Sequence, residues 1–568
     1  MLPTINSVLS MQFLRYVMLR VAFCALIGLM LFASPFAFAG PNNQDEQAFF
    51  EKRQALIIKH SHNDPTFAVM QNEKSFTREY WRLRLDQYMY GQYPEYQAIY
   101  DAYTKGKSFT EIYALPEEDL GPKFDIPTKL PAIPEGYFTG NMHGNSHTGW
   151  HTISNNKLYI TYQGDLTDPY VARYDLSKNT WQGPYKAGVS DLSKGDRKLD
   201  SHGRPIIEVD SKGHIHIIFG GHGGEREDGL NPLSIDTPHA GGRMKHVVSI
   251  RPHDISEFVE VHDINPFASY AKSYKMANGD IYFFTRAGTH KSPWLYYKMK
   301  NGEQRFEAPV MITWPSTQKD DPILVDTFYI NPVKVSDTDI VITSLWHACN
   351  FKEEHNRTHY NRLNAYYMKL DTNNDRFYNI ENEVLSLPIT LAAANLHTQA
   401  YDSEKAKETS FSTRPYVLEN GSHAVAYEAM GEGYREWRLA KYDENKWSHG
   451  HPMPGTTNRR LLDKSGKEIS QIQTLELLQQ DENSARAAVV YREKDGNSAF
   501  AMATSTSAND SLQTWQIESV SLEVAKARLQ MRAVKDDSDN TIGLIINVRK
   551  GGSQRLYLWH EGQLRPKL

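Results

Sequence analysis

One short pattern, a turn signal followed by an apolar or alternating strand, recurs seven times along this chain. The copies read "SNNKLYITYQG" from residue 154, "DSKGHIHIIFGG" from 210, "ANGDIYFFTRAG" from 277, "SDTDIVITSLWHA" from 336, "ENGSHAVAYEAM" from 419, "DENSARAAVVYRE" from 481 and "DSDNTIGLIINV" from 537. Most of them follow one another at intervals of about 60 residues, which indicates a repeat architecture made of strands.

A second hairpin signal follows most of the copies, as in "YDLSKNTWQGP", "YKMKNGEQRFEAP" and "KYDENKWSHG". Two hairpins per repeat supply four antiparallel strands, which is one propeller blade. Seven repeats therefore predict an all-β fold, a seven-bladed β-propeller. The wider interval between the fourth and fifth copies predicts a long inter-blade loop around 380–415. Because one rim of a propeller collects the loops that shape a ligand site, functional residues are expected from several blades.

The residues before the repeats form two further segments. An arginine-flanked apolar run followed by small residues predicts a signal peptide over 1–39, with cleavage between Ala39 and Gly40. The run is too short for a stable membrane anchor, so the mature protein is expected to have no membrane span and to be secreted or periplasmic. Residues 40–135 combine helical spacing with a proline-rich stretch, and predict a short N-terminal helical and extended arm before a propeller domain over 136–568.

Charge and cysteine content narrow the classes of partner. The net charge is -5, and removal of Arg15 and Arg20 with the signal peptide, without any acidic residue, takes it to -7. Nothing in this balance indicates nucleic-acid binding. Cys24 also leaves with the signal peptide, so Cys349 has no partner for an intramolecular disulfide. It is either a small buried hydrophobic residue or a metal ligand.

Two histidines bracket the strand of the second copy, and glycines surround both. His202 lies in "DSHGRP" before the strand, and His222 lies in "GGHGGE" just after it. Glycines allow a backbone or a ligand to approach closely. A structural role is the simpler interpretation for one isolated histidine. For a pair at both ends of one strand, we favour a functional role.

The third and fourth copies place further polar groups at equivalent positions. Tyr270 lies on the segment that enters the third blade, Arg286 ends its apolar strand "IYFFTR", and Tyr329 enters the fourth blade. A guanidinium fork matches planar oxyanions such as carboxylates and sulfate esters. The alternative for Arg286 is a salt bridge between blades.

In combination, "LDSHGRPIIEVDSKGHIHIIFGGHG", "SYAKSYKMANGDIYFFTRAG" and "DTFYINP" resemble the ulvan lyases built on a seven-bladed propeller. The specificity lies in the combined spacing over roughly residues 140–360, because each motif alone is weak. The resemblance implies a polysaccharide lyase that cleaves ulvan, a sulfated rhamnose–uronic acid polymer, by β-elimination at the uronic acid, giving unsaturated oligosaccharides. The chain departs from the family in the loop 223–246 and in its N-terminal arm, which affects subsite detail.

The resemblance also implies roles for individual residues. His202 and Tyr270 would be the general base and acid pair, in an order that the sequence leaves open. Arg286 would neutralise the uronate carboxylate, and His222 and Tyr329 would bind the sugar in the same cleft. A tyrosine that acts as a base needs a pKa below its usual value near 10, and the nearby Arg286 is expected to lower it.

A second set of residues predicts a metal site. His290, His347, Cys349 and His359 offer three imidazoles and one thiolate, which suit a closed, structural zinc site. The related lyases carry a bound metal, which supports this expectation, and His359 is preferred to His355 as the last ligand. The alternative is a buried free thiol with solvated histidines. No organic cofactor is expected.

Two other functions fit a propeller of this kind. One is a sialidase-like glycoside hydrolase, but no clean "S-x-D-x-G-x-T-W" box occurs in the chain. The other is a non-catalytic carbohydrate-binding propeller, which needs aromatic platforms and no proton-transfer pair. A lyase product absorbs in the ultraviolet, whereas hydrolysis gives reducing ends without that absorbance and a binding protein gives neither.

Overall fold

The computed structural model describes residues 48–49, 52–53, 55–56, 59–60, 86–106, 133–140, 142, 150–193, 200–229, 231–233, 241–289, 291–318, 321–348, 361–418, 420–453, 460–481, 484–506, 514–536, 540–550 and 553–566. Within them, seven sheets form the seven blades of a β-propeller, as the repeats predict. The paired strands are antiparallel in every sheet, except that the first and last strands of the sixth sheet pair in parallel and close that sheet into a barrel. None of the helices in this part of the chain combines the length and apolarity that crossing a bilayer requires.

The first three blades each contain four strands in chain order. Blade 1 consists of β1 Trp150–Ser154, β2 Lys157–Gln163, β3 Pro169–Asp175 and β4 Thr180–Lys186. Blade 2 consists of β5 Ile206–Val209, β6 Ile215–Gly220, β7 Met244–Ser249 and β8 Phe258–Val261. Blade 3 consists of β9 Ser269–Lys275, β10 Ile281–Arg286, β11 Trp294–Met299 and β12 Val310–Met311.

Blades 5 and 7 also contain four strands, whereas blade 4 contains six and blade 6 contains five. Blade 4 consists of β13 Ser316–Gln318, β14 Asp321–Lys334, β15 Asp339–Ala348, β16 Asn361–Asp371, β17 Arg376–Tyr378 and β18 Gln399–Tyr401. Blade 5 consists of β19 Thr409–Val417, β20 His423–Gly431, β21 Tyr434–Asp443 and β22 Lys446–Pro452. Blade 6 consists of β23 Arg460–Leu462, β24 Glu468–Gln480, β25 Ser484–Arg492, β26 Ser498–Thr506 and β27 Thr514–Val524. Blade 7 consists of β28 Arg528–Lys535, β29 Thr541–Lys550, β30 Ser553–His560 and β31 Gln563–Leu564.

The seven repeats of the sequence correspond to one strand of each blade, namely β2, β6, β10, β15, β20, β25 and β29. Each of these strands is hydrogen-bonded on both edges. Every residue of β6 and β10 is buried, and so are all but the first of β2. Because both faces of such a strand pack against neighbouring blades, it is largely apolar rather than alternating.

The predicted long loop around 380–415 contains regular structure. Helix α2 (Leu391–His397), strand β18 and helix α3 (Ser403–Ala406) lie there, and β18 pairs with β16. The side chain of Thr390 accepts a hydrogen bond from the backbone of Ala393 and so caps α2. Short 3₁₀ turns cover Asp165–Thr167, Asp191–Ser193 and Arg226–Asp228.

Most of the described residues of the N-terminal arm are helical. Helical residues 86–92 precede α1 (Pro94–Thr104), whose buried Tyr96 and Tyr100 are spaced for one helical face. The predicted signal peptide over 1–39 lies outside the described residues, and the boundary after residue 135 stays a prediction.

The ring closes by packing between its first and last blades. The backbone N–H of Phe138 donates to the carbonyl of Leu556 in blade 7, at 3.1 Å. The Phe138 ring stacks on Trp181 in blade 1, with centroids 4.4 Å apart. One apolar cluster joins side chains of blades 1 and 7 around Phe138. Residues 133–140 therefore hold the two ends of the propeller together.

Candidate active site

One rim of the propeller carries all five residues that the sequence singles out for the cleft. At this rim the first strand of a blade begins and its second strand ends. His202 precedes β5, His222 follows β6, Tyr270 is the second residue of β9, Arg286 ends β10, and Tyr329 is the ninth of the 14 residues of β14. The contacts described below bring them into a single cluster.

A carboxylate that the sequence interpretation missed, Asp200, joins the two histidines. Its Oδ2 lies 2.7 Å from Nδ1 of His222, and its Oδ1 makes a short hydrogen bond with Nδ1 of His202. The backbone N–H of His202 also donates to Oδ1, at 2.7 Å. The two imidazoles stack, with centroids 3.9 Å apart and 11° between planes. Asp200 stands two residues before His202 in "LDSHGRP", which is the signal that could have identified it.

The charge of Asp200 fixes where the imidazole protons lie. Burial alone would raise the pKa of this carboxyl, but hydrogen bonds and positive charge from the two histidines hold that pKa well below its usual range. An ionised carboxylate only accepts hydrogen bonds, so Nδ1 of each imidazole must carry a proton. In its neutral form, each ring then presents Nε2 as a hydrogen-bond and proton acceptor. Burial lowers the pKa of His222, against the opposing effect of Asp200, and this favours its neutral form.

The glycines beside the histidines serve backbone packing. A Cβ on Gly203 would lie 1.9 Å from the carbonyl oxygen of Gly220. These two residues are also joined by a hydrogen bond of 2.8 Å from the N–H of Gly220 to the carbonyl of Gly203. The loop that carries His202 thus lies directly on the end of β6, and only glycine permits this approach.

Tyr270 adopts an unusual backbone conformation at the start of β9. Its φ of 60° lies in the left-handed region, which a bulky residue seldom occupies outside functional sites. Its backbone N–H donates to the carbonyl of His202 at 3.3 Å, and its ring meets the His202 ring edge-on, with centroids 5.1 Å apart. Backbone geometry thereby holds the phenol beside the imidazole.

The expectation that Arg286 lowers the pKa of Tyr270 is wrong in its net direction. Burial of the phenol raises its pKa, and the positive charge of Arg286 offsets this only in part. Desolvation therefore outweighs the charge. Tyr270 is accordingly a neutral phenol near neutral pH, and it is suited to donate a proton rather than to accept one.

Arg286 is a buried cation within this cluster, with 2% of the residue exposed. Its Nη1 donates to the hydroxyl of Tyr329 at 3.2 Å, and its Nε donates to the carbonyl of Gly288 at 3.2 Å. Its Cζ lies 4.7 Å from the ring centroid of Tyr270. No salt bridge joins Arg286 to a carboxylate within the described part of the chain. The alternative prediction, a salt bridge between blades, is thus unsupported among these residues, and the site has a positive charge available for a ligand carboxylate.

A cavity of about 590 Å³ opens beside the cluster and extends into the central channel. His202, Tyr270 and Tyr329 line it, together with residues from the first strands of several blades. Further lining comes from Trp150, Arg204, Lys272, Trp294, Gln530 and Arg532. Tyr270 and Lys272 are two apart on β9 and so share one face, a pattern that could have revealed the inward-facing lysine.

Two groups of residues could hold a metal. Asp200, His202 and His222 each offer a ligand atom, all within 4.8 Å of one another, although the same atoms already hydrogen-bond to each other. Of the predicted zinc ligands, His290, Cys349 and His359 lie outside the described residues. His347 is buried near the end of β15, and its ring meets that of Tyr329 edge-on, with centroids 5.2 Å apart.

Comparisons with known proteins agree with this architecture. The BNR repeat-containing family model matches residues 157–451. "Ulvan Lyase-PL25" of Pseudoalteromonas sp. (strain PLSV) is 35% identical over 332 residues, which are 56% of this chain and 66% of that protein. An ulvan lyase of Alteromonas sp. (strain LOR) is 33% identical over 332 residues, 56% of this chain and 67% of that protein. The matched stretches thus span about two thirds of these relatives.

A solved structure of a PL25 ulvan lyase has the same fold. It superposes with a TM-score of 0.60 and 27% identity, over 76% of this chain and 97% of that one. A second structure of such a lyase, with the same TM-score, identity and coverage, is described as bound to -[GlcA(1-4)Rha3S]-.

Proposed function

The chain belongs to the BNR repeat-containing family and to the propeller-type ulvan lyases, and from this premise we propose that it cleaves ulvan by β-elimination. The bond that breaks joins C4 of a uronic acid to its linking oxygen O4 in this sulfated rhamnose–uronic acid polymer. The products are unsaturated oligosaccharides. The relatives named above are ulvan lyases, and one solved structure holds a fragment of alternating glucuronic acid and sulfated rhamnose.

The observation that carries the proposal is the Asp200 bridge between the two imidazoles. It holds the proton of His202 on Nδ1 and directs Nε2 away from the carboxylate, so that Nε2 is a base. It also supplies the negative charge that stabilises the imidazolium once the base has taken a proton. This is the same principle by which a carboxylate orients the histidine of a hydrolase triad.

The reaction needs three groups, and the cluster supplies them. His202 Nε2 removes the proton from C5 of the uronate, and Arg286 binds the adjacent carboxylate, where negative charge develops as the C5–H bond breaks. The electron pair forms the C4–C5 double bond while the C4–O4 bond breaks. Tyr270 donates its phenolic proton to the departing O4. The raised pKa of Tyr270 favours this assignment, in which His202 is the base and Tyr270 the acid.

His222 and Tyr329 support these groups and bind sugar. His222 stacks on His202 and shares its carboxylate, so it restricts the rotation of the base. Tyr329 accepts a hydrogen bond from Arg286 and lines the cavity, which positions the guanidinium for the uronate.

The cleft is poorly suited to glycoside hydrolysis. Inverting and retaining hydrolases usually require a pair of carboxyl groups beside the scissile bond. No carboxyl residue is among the described residues that line the cavity, and Asp200 is already engaged by two imidazoles. A non-catalytic binding protein would have no need for a base held in one tautomer.

The test is product formation by the purified protein on ulvan. We expect ultraviolet absorbance from the unsaturated uronate to rise together with reducing ends, at a ratio that stays constant through the reaction. Reducing ends without absorbance would indicate a hydrolase, and binding without either signal would indicate a carbohydrate-binding protein. Either result would reject the proposal.

We also propose a structural zinc site formed by His290, His347, Cys349 and His359. Buried His347 at the edge of the cleft fits a ligand that ties blade 4 to the segment after Arg286. Three imidazoles and a thiolate leave no open coordination position, so the metal would stabilise the fold and take no part in proton transfer. Export through the signal peptide over 1–39 would bring the protein to an extracellular or periplasmic polymer.

A further inference from the structure

The pairing of β9 with β10 changes register beside the catalytic cluster. Four consecutive residue pairs along the two strands follow one register, and then the register shifts. After the shift Arg286 lies opposite Ser269, so that Tyr270 and Ala271 together oppose the single residue Thr285. Two residues opposite one form a β-bulge, a feature that redirects a side chain and is common next to active sites. Here the bulged strand carries the phenol of the proposed acid.

Tyr270 occupies a position of the bulge that glycine normally fills. Its φ of 60° is left-handed. In bulges whose first residue has this backbone conformation, that residue is typically glycine, because any Cβ is crowded there. A bulky residue keeps such a conformation only when the surrounding groups fix it. The neighbours of Tyr270 must therefore hold its backbone in place.

The hydroxyl of Thr285 holds the peptide bond that precedes Tyr270. Thr285 Oγ1 donates to the carbonyl of Ser269 at 2.8 Å, and the carbonyl of Arg286 is a more distant acceptor at 3.2 Å. A hydroxyl has one proton, so the nearer carbonyl is the main acceptor. The orientation of this Ser269 carbonyl sets the φ of Tyr270. Ser269 and Thr285 are both fully buried, so water cannot replace the bond.

A second buried hydroxyl connects the same peptide to Arg286. Ser269 Oγ donates to the carbonyl of Gly288 at 2.6 Å, and Arg286 Nε donates to that carbonyl at 3.2 Å. On its other side, the peptide donates through the N–H of Tyr270 to the carbonyl of His202 at 3.3 Å. One peptide bond thus links the three groups that the proposed reaction uses.

We infer that Thr285 is a positioning residue, which acts through the Ser269–Tyr270 peptide to keep the bulge in the conformation that aims the phenol of Tyr270 into the cleft. Thr285 is not among the described residues that line the cavity, so it has no contact with the sugar or with the reacting atoms. The role of Tyr270 as the acid rests on the proposed function, whereas the way its backbone is held does not.

The first experiment measures the backbone preference at position 270 without using catalysis. Tyr270→Gly and Tyr270→Ala both remove the ring, so the difference between their thermal unfolding midpoints reports the backbone alone. A left-handed position favours glycine over alanine, and an ordinary strand position favours alanine. Both variants are made with Thr285 intact and in combination with Thr285→Val, which replaces the hydroxyl by a methyl group and keeps the β-branched shape.

With Thr285 intact, Tyr270→Gly should unfold about 1–2 °C above Tyr270→Ala. In the Thr285→Val background this difference should fall to roughly half or less, because the peptide can then turn away from the left-handed conformation. A midpoint for Tyr270→Ala equal to or above that of Tyr270→Gly, with Thr285 intact, would overturn the inference. An equal difference in both backgrounds would also overturn it. Thr285→Ala serves the same comparison should Thr285→Val not fold.

The second experiment asks whether this positioning matters for turnover. Both kcat and KM are measured from ultraviolet product formation on ulvan for the wild type, Thr285→Val, Thr285→Ser and Thr372→Val. Thr372 is the matched control, since its buried hydroxyl also donates to a backbone carbonyl, that of Thr338 in blade 4, at 2.8 Å. It lies outside the described lining of the cavity.

Thr285→Val should lower kcat roughly 10- to 100-fold and leave KM nearly unchanged, because a misplaced acid affects the step in which the C4–O4 bond breaks. Thr285→Ser retains the hydroxyl and should restore kcat. Thr372→Val should lower the unfolding midpoint without changing kcat. A wild-type kcat for Thr285→Val, or equal impairment of Thr285→Ser, would reject the positioning role. Absence of product from the wild type would instead reject the proposed lyase function, while the unfolding midpoints would still decide what holds position 270.

Discussion

Replacing Asp200 by Asn changes one charge at the centre of the proposed proton-transfer machinery while nearly preserving the side-chain shape. The structure predicts how the new amide will lie. Oδ1 of Asp200 receives two donors, the backbone N–H and the Nδ1–H of His202, whereas Oδ2 receives one, from His222. The amide oxygen should therefore occupy the Oδ1 position. His202 would keep its tautomer, and the amide nitrogen would face His222, which would have to shift its proton to Nε2.

The expected loss of rate comes from the missing charge. A unit charge about 4 Å from the imidazolium contributes about 4 kcal/mol at an effective dielectric constant of 20. The side chains of Asp200 and His202 are 23% and 36% exposed, so water screens part of this interaction. We therefore expect kcat on ulvan to fall roughly 10- to 1000-fold. This is less than the effect of reversing the tautomer of a catalytic histidine, which costs about 10⁴-fold in a serine-protease triad.

The assay is the pH dependence of ultraviolet product formation. Without its counter-charge the imidazolium that forms during the reaction is less stable, so the rate profile of Asp200→Asn should lie below that of the wild type across the pH range. Asp210→Asn is the matched control, because Asp210 also accepts from an imidazole, that of His216, at 3.4 Å in blade 2 but outside the cavity lining. It should lower stability and leave the profile in place. A wild-type rate and profile for Asp200→Asn, or equal changes in both variants, would refute the reasoning.

The same substitution has a stability effect whose sign follows from the depressed pKa of Asp200. A carboxyl with a lower pKa in the folded state stabilises the fold above its unfolded pKa, near 4, and this contribution is lost as pH falls through the folded value. Asp200→Asn should therefore lower the free energy of unfolding by roughly 1–3 kcal/mol near neutral pH, after allowance for partial exposure. Denaturant unfolding should show this difference shrinking below about pH 4. A difference that stays constant with pH would contradict the ionised state of the carboxyl.

Four further changes test other parts of the protein. Tyr270→Phe removes only the hydroxyl, and Arg286→Lys keeps the charge but loses the guanidinium fork. Each should reduce turnover on ulvan by about 10²-fold or more, with an unchanged circular dichroism spectrum. Near-wild-type rates in both variants would reject this rim as the active site. Gly203→Ala places a Cβ 1.9 Å from a backbone oxygen, so we expect a loss of roughly 3 kcal/mol or more in unfolding free energy together with loss of activity. Gly91→Ala is the control: it lies in the helical residues 86–92, and no group outside its own helix backbone and chain neighbours lies within 4 Å of the added Cβ, so it should leave stability unchanged or slightly higher. Cys349→Ser should lower both the amount of bound zinc, measured by elemental analysis, and the unfolding midpoint. Full zinc content in the variant, or no zinc in the wild type, would exclude the proposed site.

The sequence by itself was sufficient for the blade count, and it singled out five residues that the structure brings into one cluster. The repeated strand of each blade is mostly buried, so it is a short and largely apolar run after a turn, and such runs recur visibly along the chain. Glycines in the sequence indicated the His202 loop, because the backbone of this loop contacts the end of β6 so closely that a side chain would not fit. These features are local, since each depends on residues that are close in sequence.

Only the tertiary structure decided the chemical states of those residues. The net pKa shift of Tyr270 depends on how far burial outweighs the charge of Arg286, and a sequence contains no measure of burial. The Asp200 bridge depends on two loops folding onto one carboxylate. Lys272 and Arg532 are far apart in sequence, and they line one cavity only when the ring of blades closes. Electrostatic interactions act through space and are set by solvent exclusion, so they appear only once the whole propeller has formed.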